Sequence, residues 1–105
     1  MRFRHLSSIL CFLLPLSAVA EDHLISQREK IFSPITVHAR VGDTLTFRND
    51  DPFIHSIFSL SEVQPFDLGP FKTGEMRRVK LIEPGRISVE CAVHPQMKLV
   101  VEIAR

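Results

Sequence analysis

A chain of 105 residues with 24% charged residues and a formal net charge of +1 is sized for one domain and carries no basic surplus. Those values exclude an array of domains and a protein held to nucleic acid by charge. Its cysteines, Cys11 and Cys91, leave little scope for the disulfide framework that small exported domains often use.

The first twenty residues read as a secretory leader. Arg2, Arg4 and His5 make a positive start, Leu6 to Leu16 an apolar run, and Ala18-Val19-Ala20 a small-residue cleavage site. The run is shorter than the roughly 20 apolar residues that span a bilayer, and Pro15 lies near its end. Leu10, before Cys11, is not the small residue expected ahead of an acylated cysteine. Cleavage after Ala20 would leave a domain at 21–105 and no membrane span. Losing Arg2 and Arg4 takes the formal charge from +1 to −1. Cys91 then becomes the only thiol, and a lone thiol in an exported protein calls for a chemical role such as metal ligation.

Beyond the leader, apolar residues recur with period two rather than 3.6. His23, near the new terminus, is expected to be mobile. Leu24 to Arg28 predicts a short strand. Ile35, Val37, Ala39 and Val41 alternate with Thr36, His38 and Arg40, a half-buried strand with His38 towards solvent. Gly42-Asp43 marks a turn, and Leu45 and Phe47 belong to the strand that follows. Asn49-Asp50-Asp51-Pro52 ends it, and Ile54 to Leu60 forms another apolar, β-branched run.

Ser61 to Gly74, with Pro65, Gly69 and Pro70, shows no period. It reads as a long connection with room for one helical turn, anchored by Phe66, Leu68 and Phe71. Met76 is assigned to packing, and Val79 and Leu81 mark the next strand. Glu83-Pro84-Gly85-Arg86 fits a type II turn. Ile87 and Val89 lead into Cys91, and Leu99, Val101 and Ile103 share one face of the last strand. About seven short strands separated by turns predict a β-sandwich. Its expected core is Phe32, Val37, Leu45, Phe47, Ile57, Val79, Leu81, Val89, Leu99 and Val101.

Cys91-Ala92-Val93-His94-Pro95-Gln96-Met97 places a thiol, an imidazole and a thioether at three-residue intervals between two strands. By strand parity Cys91 shares the face of Ile87 and Val89, and Met97 that of Leu99 and Val101. Both sulfurs therefore point inward, and His94 closes the loop at its solvent edge. His55 shares the inward face of Ile57. Singly, these are a buried thiol, a core methionine and hydrogen-bonded histidines. Together, two His, one Cys and a weak axial Met are the ligand pattern of blue-copper electron-transfer sites. Cys91 and His94 as nucleophile and base would need an orienting group and an oxyanion site, for which the sequence offers no support. The C-x-x-C-H signature of attached haem is absent, and structural zinc takes a different ligand set.

The stretch from Cys91 to Met97 resembles the copper loop of the cupredoxins, with the two-residue gaps of their amicyanin branch. Plastocyanin- and pseudoazurin-type members have longer loops. Phe32-Ser33-Pro34, Val41-Gly42-Asp43-Thr44-Leu45-Thr46-Phe47-Arg48-Asn49, Phe66-Asp67-Leu68-Gly69 and Pro84-Gly85 are similar to family segments too. The resemblance covers roughly residues 24–104. It implies a Greek-key antiparallel β-sandwich holding one copper ion through His55, Cys91, His94 and a long axial Met97. The implied role is that of a one-electron carrier, not an enzyme: a monomer meeting redox proteins such as a cytochrome or dehydrogenase, with the periplasm as its compartment. His94 would be the electron port, beside an apolar docking patch of Pro52, Phe53, Ile54 and Pro95. A copper-delivery protein without a redox partner is the alternative. Two positions depart from the common pattern: Ser56 where many members have Asn, and Ala92 where Ser or Thr is frequent.

Overall fold

The structure, a computed structural model, describes residues 19–105. Most of the expected leader, Cys11 included, lies outside the described residues. In chain order the strands are β1 (Asp22–Arg28), β2 (Ile31–Ser33), β3 (Thr36–Arg40), β4 (Thr44–Asn49), β5 (His55–Ser59), β6 (Phe66–Phe71), β7 (Met76–Lys80), β8 (Gly85–Cys91) and β9 (Lys98–Ala104). They form two sheets, ordered β2-β1-β4-β7 and β3-β9-β8-β5-β6.

Alternation along the strands builds the interior between the sheets. In β8, Ile87, Val89 and Cys91 are buried, and in β9, Leu99, Val101 and Ile103 are. Phe32 meets Phe47 edge-on at 6.3 Å between ring centroids, and Phe66 lies tilted against Phe47 at 6.4 Å. Each large side chain removed from water here contributes about 1.5–3 kcal/mol. Every residue expected in the core is buried, and Ile25, Phe71 and Ile87 join them.

The all-β sandwich has more strands than its apolar runs suggested, and its sheets are mixed. β1 runs parallel to β4, and β3 parallel to β9; the other pairings are antiparallel. Parallel neighbours cannot be joined by a tight hairpin, so this geometry follows from crossover connections that period two does not encode. The segment read as a long connection contains β6. As an edge strand it tolerates Pro70, whose missing N–H costs nothing there. Gly69 at φ 67° lies beside a register shift in β5 between Ile57 and Phe58, and the Asp67 carboxylate accepts the Gly69 N–H at 2.9 Å.

Smaller expectations also change. Ile35 and Val41 are 63% and 40% exposed, because β3 begins after the first and ends before the second. Met76 opens β7 and is 43% exposed rather than packed. Gly85, at φ 139°, begins β8 instead of centring a type II turn. A Cβ there would lie 3.0 Å from the Val63 side chain. His23 is part of β1, half-buried and hydrogen-bonded to Asp43, so it is not a loose terminal residue.

One interior residue is out of keeping with the rest. Gln27 in β1 is fully buried, and neither its Nε2 nor its Oε1 has a hydrogen-bond partner among the described residues. Burying an amide in this way costs about 1–3 kcal/mol. Gln27→Met, similar in length and free of that cost, is expected to raise stability by about 1 kcal/mol. Urea unfolding checks this, and an unchanged or lower midpoint would contradict it.

Candidate metal centre

β5 and β8 are adjacent and antiparallel, with Ile57 opposite Cys91. His55, two residues before Ile57 on the same face, therefore reaches the end of β8. Its Nδ1 lies 3.5 Å from Cys91 Sγ. The chain leaves β8 in a short turn closed by the Met97 N–H donating to the His94 carbonyl at 2.9 Å. That turn brings His94 Nδ1 to 3.9 Å from the same sulfur. Ligand atoms of His55, Cys91 and His94 all lie within 4.8 Å of one another. Met97 is buried at the foot of the turn. His55, Cys91 and Met97 are at most 1% exposed, whereas His94 is half-buried at the surface. His55, Cys91 and His94 thus meet at one end of the sandwich.

Backbone bonds tie the two ligand-bearing segments together. The Ser56 N–H points at Cys91 Sγ at 3.4 Å, and the Ala92 N–H donates to the Ser56 carbonyl at 2.8 Å. These links do not depend on which side chains stand at 56 and 92, so both departures from the common pattern are accommodated.

Sequence reasoning missed Asp51. Its Oδ2 accepts a hydrogen bond from His55 Nε2 at 2.7 Å, with both side chains buried. A proton on Nε2 leaves the Nδ1 lone pair facing the sulfur, so the carboxylate selects the tautomer and aims the ring. Asp51 also accepts the Glu29 and Lys30 N–H groups, at 2.6 and 3.1 Å. Glu29 and Lys30 form the two-residue link from β1 to β2, with φ of 56° and 59°. Hairpins favour positive φ at both positions, but Glu and Lys rarely adopt it. Holding both amides offsets that cost. Asn49 completes the network: its Oδ1 accepts the Asp51 N–H at 2.9 Å, and its Nδ2 donates to the Phe53 and Phe71 carbonyls at 2.8 and 3.1 Å. The only sequence signal was the acidic tetrapeptide Asn49-Asp50-Asp51-Pro52, with Asp51 four residues before His55, and it read as the end of a strand.

Burial opposes the charge on Asp51, but the hydrogen bonds from His55, Lys30 and Glu29 outweigh it and hold the carboxyl below its usual pKa. Desolvation, reinforced by His55 and Lys30, lowers the His94 pKa, although Asp51 pulls the other way. His94 is therefore biased towards the neutral form, whose lone pair can bind a metal. Phe53 covers the site, with its ring centroid 5.4 Å from that of His55 and 5.2 Å from that of His94. Pro52, Ile54 and Pro95 are exposed around it, as is Val93. One soft sulfur and two imidazoles, with a thioether in the same loop, suit a soft or borderline ion better than a hard cation.

Glu21, His23 and Asp43 form a second grouping with ligand atoms within 4.8 Å. There the Asp43 oxygens already accept from the Glu21 and Arg40 amides and from His23.

Neither a family model nor a curated protein sequence matches this chain. Solved structures do. A purple cupredoxin from Nitrosopumilus maritimus is similar over 79% of this chain and all of its own, with 26% identity and a TM-score of 0.72. A reduced amicyanin variant is similar over 76% of this chain and 79% of its own, at 20% identity and a TM-score of 0.71. The fold is that of the cupredoxins. A copper-containing nitrite reductase from Thermus scotoductus SA-01 shares it over 80% of this chain, at 23% identity and a TM-score of 0.75. This chain spans only 22% of that reductase. The cupredoxin sandwich thus accounts for the mixed sheets, and its β5–β8 end carries the donor cluster.

Proposed function

We propose that the domain at 21–105, exported by its leader to the periplasm, binds one copper ion and carries single electrons between redox proteins. His55, Cys91 and His94 would hold the ion, with the Met97 thioether as a fourth donor. The observation carrying this reading is the Cys91 sulfur flanked by two imidazole Nδ1 atoms at 3.5 and 3.9 Å. Copper supplies a one-electron couple between +1 and +2. Cysteine and methionine favour the lower state and imidazole suits both, so the same donors serve throughout. The buried, cross-linked frame around His55 and Cys91 resists rearrangement, which favours fast exchange over chemistry on a substrate. Half-buried His94 offers the path to the surface. Pro52, Phe53, Ile54 and Pro95 around it suit a small transient interface. No helix among the described residues is long and apolar enough to cross a membrane.

The test is a copper(II) titration of the processed chain followed by visible absorption, then stopped-flow mixing with reduced cytochromes. One equivalent giving an intense thiolate-to-copper band, and rapid oxidation of the cytochrome, supports the carrier. Slow exchange together with transfer of the ion to an apo-acceptor would instead support copper delivery. Ile54→Glu is expected to leave the band unchanged and slow exchange with an acidic partner about tenfold, through like-charge repulsion at the contact. An unchanged rate would remove the apolar patch from the reading.

A further inference from the structure

Asp43 lies in the turn between β3 and β4, yet it is only 5% exposed. Its Oδ1 accepts the Glu21 N–H at 2.9 Å. Its Oδ2 accepts the Arg40 N–H and the His23 Nε2–H, each at 2.9 Å. The carboxylate is therefore sheltered, fixed on three sides and in contact with the nitrogen of the residue that the expected cleavage would expose. Val19, on the far side of that bond, is 88% exposed. It lines an open pocket of roughly 410 Å³ together with Glu21, His38, Arg40 and Asp43.

We propose that Asp43 is a binding site for the α-ammonium group of Glu21, generated when the leader is cut after Ala20. This rests on the leader reading given above. Hydrolysis of the Ala20–Glu21 bond consumes one water. The carboxylate leaves with Ala20, and the Glu21 nitrogen takes up protons to become an ammonium. That nitrogen already stands at hydrogen-bond distance from Oδ1, so a bond from a neutral amide to the carboxylate becomes a hydrogen-bonded ion pair without movement. Departure of Val19 and Ala20 opens the pocket, leaving water for the remaining ammonium hydrogens.

The gain falls where the fold needs it. Thr44 donates its N–H to the Glu21 carbonyl at 2.9 Å, and the parallel register of β1 with β4 begins at Asp22 opposite Thr44. A strand that begins at a chain terminus frays unless it is tied down, and an ammonium held by Asp43 ties this one at its first residue. Asp43 is anionic across the neutral range: the Glu21 N–H, opposed by burial and helped by His23 and the Arg40 amide, lowers its pKa to about 2. The other ionisable neighbours are the Glu21 carboxylate, 3.9 Å from His23 Nε2, and the pocket residues His38 and Arg40.

The experiment compares three forms of the processed chain: one beginning at a free Glu21 amine, one acetylated on that amine, and one extended by two uncharged residues. All three retain the N–H that reaches Asp43, and only the first carries a charge on that nitrogen. Each is made with Asp43 and with Asp43→Asn, and unfolded in urea at pH 7. Acetylation or extension is expected to raise the unfolding constant about tenfold with Asp43 in place, and less than twofold with Asp43→Asn. No effect in either background, or equal effects in both, would overturn the site. If Asp43→Asn does not fold, the amine pKa by NMR decides. A value raised above the usual ~8 supports the pairing, and an ordinary value overturns it. A raised pKa means that the extra stability is complete below pH ~8 and fades as pH rises through the folded value. The first residue of the exported protein, read by mass spectrometry, tests the leader reading separately from the pairing.

Discussion

Cys91→Ser is expected to eliminate the intense thiolate-to-copper absorption and leave, at most, weak copper bands. The sulfur stands between two imidazole nitrogens and accepts the Ser56 N–H. A thiol gives up its proton readily once a metal competes for it. A serine hydroxyl does not, and its oxygen is a hard donor in a soft set. Copper(I) affinity should fall the most, by well over the 10–100-fold that loss of a mere outer-shell partner produces. The fold should survive, because Ser is small and the Ser56 N–H still has an acceptor in reach. Absorption and copper titration read the first effect, and circular dichroism with urea unfolding the second. A variant that keeps the intense band would exclude Cys91 as the ligand.

Much of this centre was legible because metal chemistry is written in residue types at short spacing. Cys91, His94 and Met97 lie in one loop, and parity along β8 and β9 alone turns both sulfurs inward. His55 could be paired with them because it shares a strand face with Ile57. Features that depend on what crosses space were not legible. β6 was hidden by Gly69 and Pro70, residues that mean a connection unless the strand is known to lie at a sheet edge. The parallel pairing of β1 with β4 depends on crossovers that no local pattern records. Asp51 was invisible for the same reason: the amides that fix its carboxylate against the His55 ring, those of Glu29 and Lys30, come from a hairpin distant in sequence. An acidic residue in a turn sequence signals solvent, and only the packed structure reveals that this one is 2% exposed.

Asp51→Asn is accordingly expected to affect stability and copper together. An Asn side chain has one acceptor oxygen where Asp51 uses its carboxylate three times. Either a hairpin amide or the His55 Nε2–H then faces an NH₂ group, a buried mismatch costing about 1–3 kcal/mol. Glu29 and Lys30 would keep their unfavourable positive φ with less to hold them there. At the metal, the negative charge behind His55 disappears and the ring becomes a poorer donor, which disfavours copper(II) more than copper(I). Loss of such a partner lowers metal affinity about 10–100-fold. A tenfold fall in the copper(II)-to-copper(I) affinity ratio corresponds to a reduction potential about 59 mV higher. Asp50→Asn is the control. Asp50 neighbours Asp51 in sequence, but it pairs with Arg48 and Ser26 near the surface. Loss of that pair should cost no more than about 1 kcal/mol and leave the potential in place. Voltammetry and urea unfolding of both variants separate the two outcomes. Equal behaviour of Asp50→Asn and Asp51→Asn would mean that the buried carboxylate contributes nothing specific to His55. A potential that moves only with Asp51→Asn would identify the Asp51–His55 contact as the means by which this cupredoxin fold biases its copper towards the oxidised state.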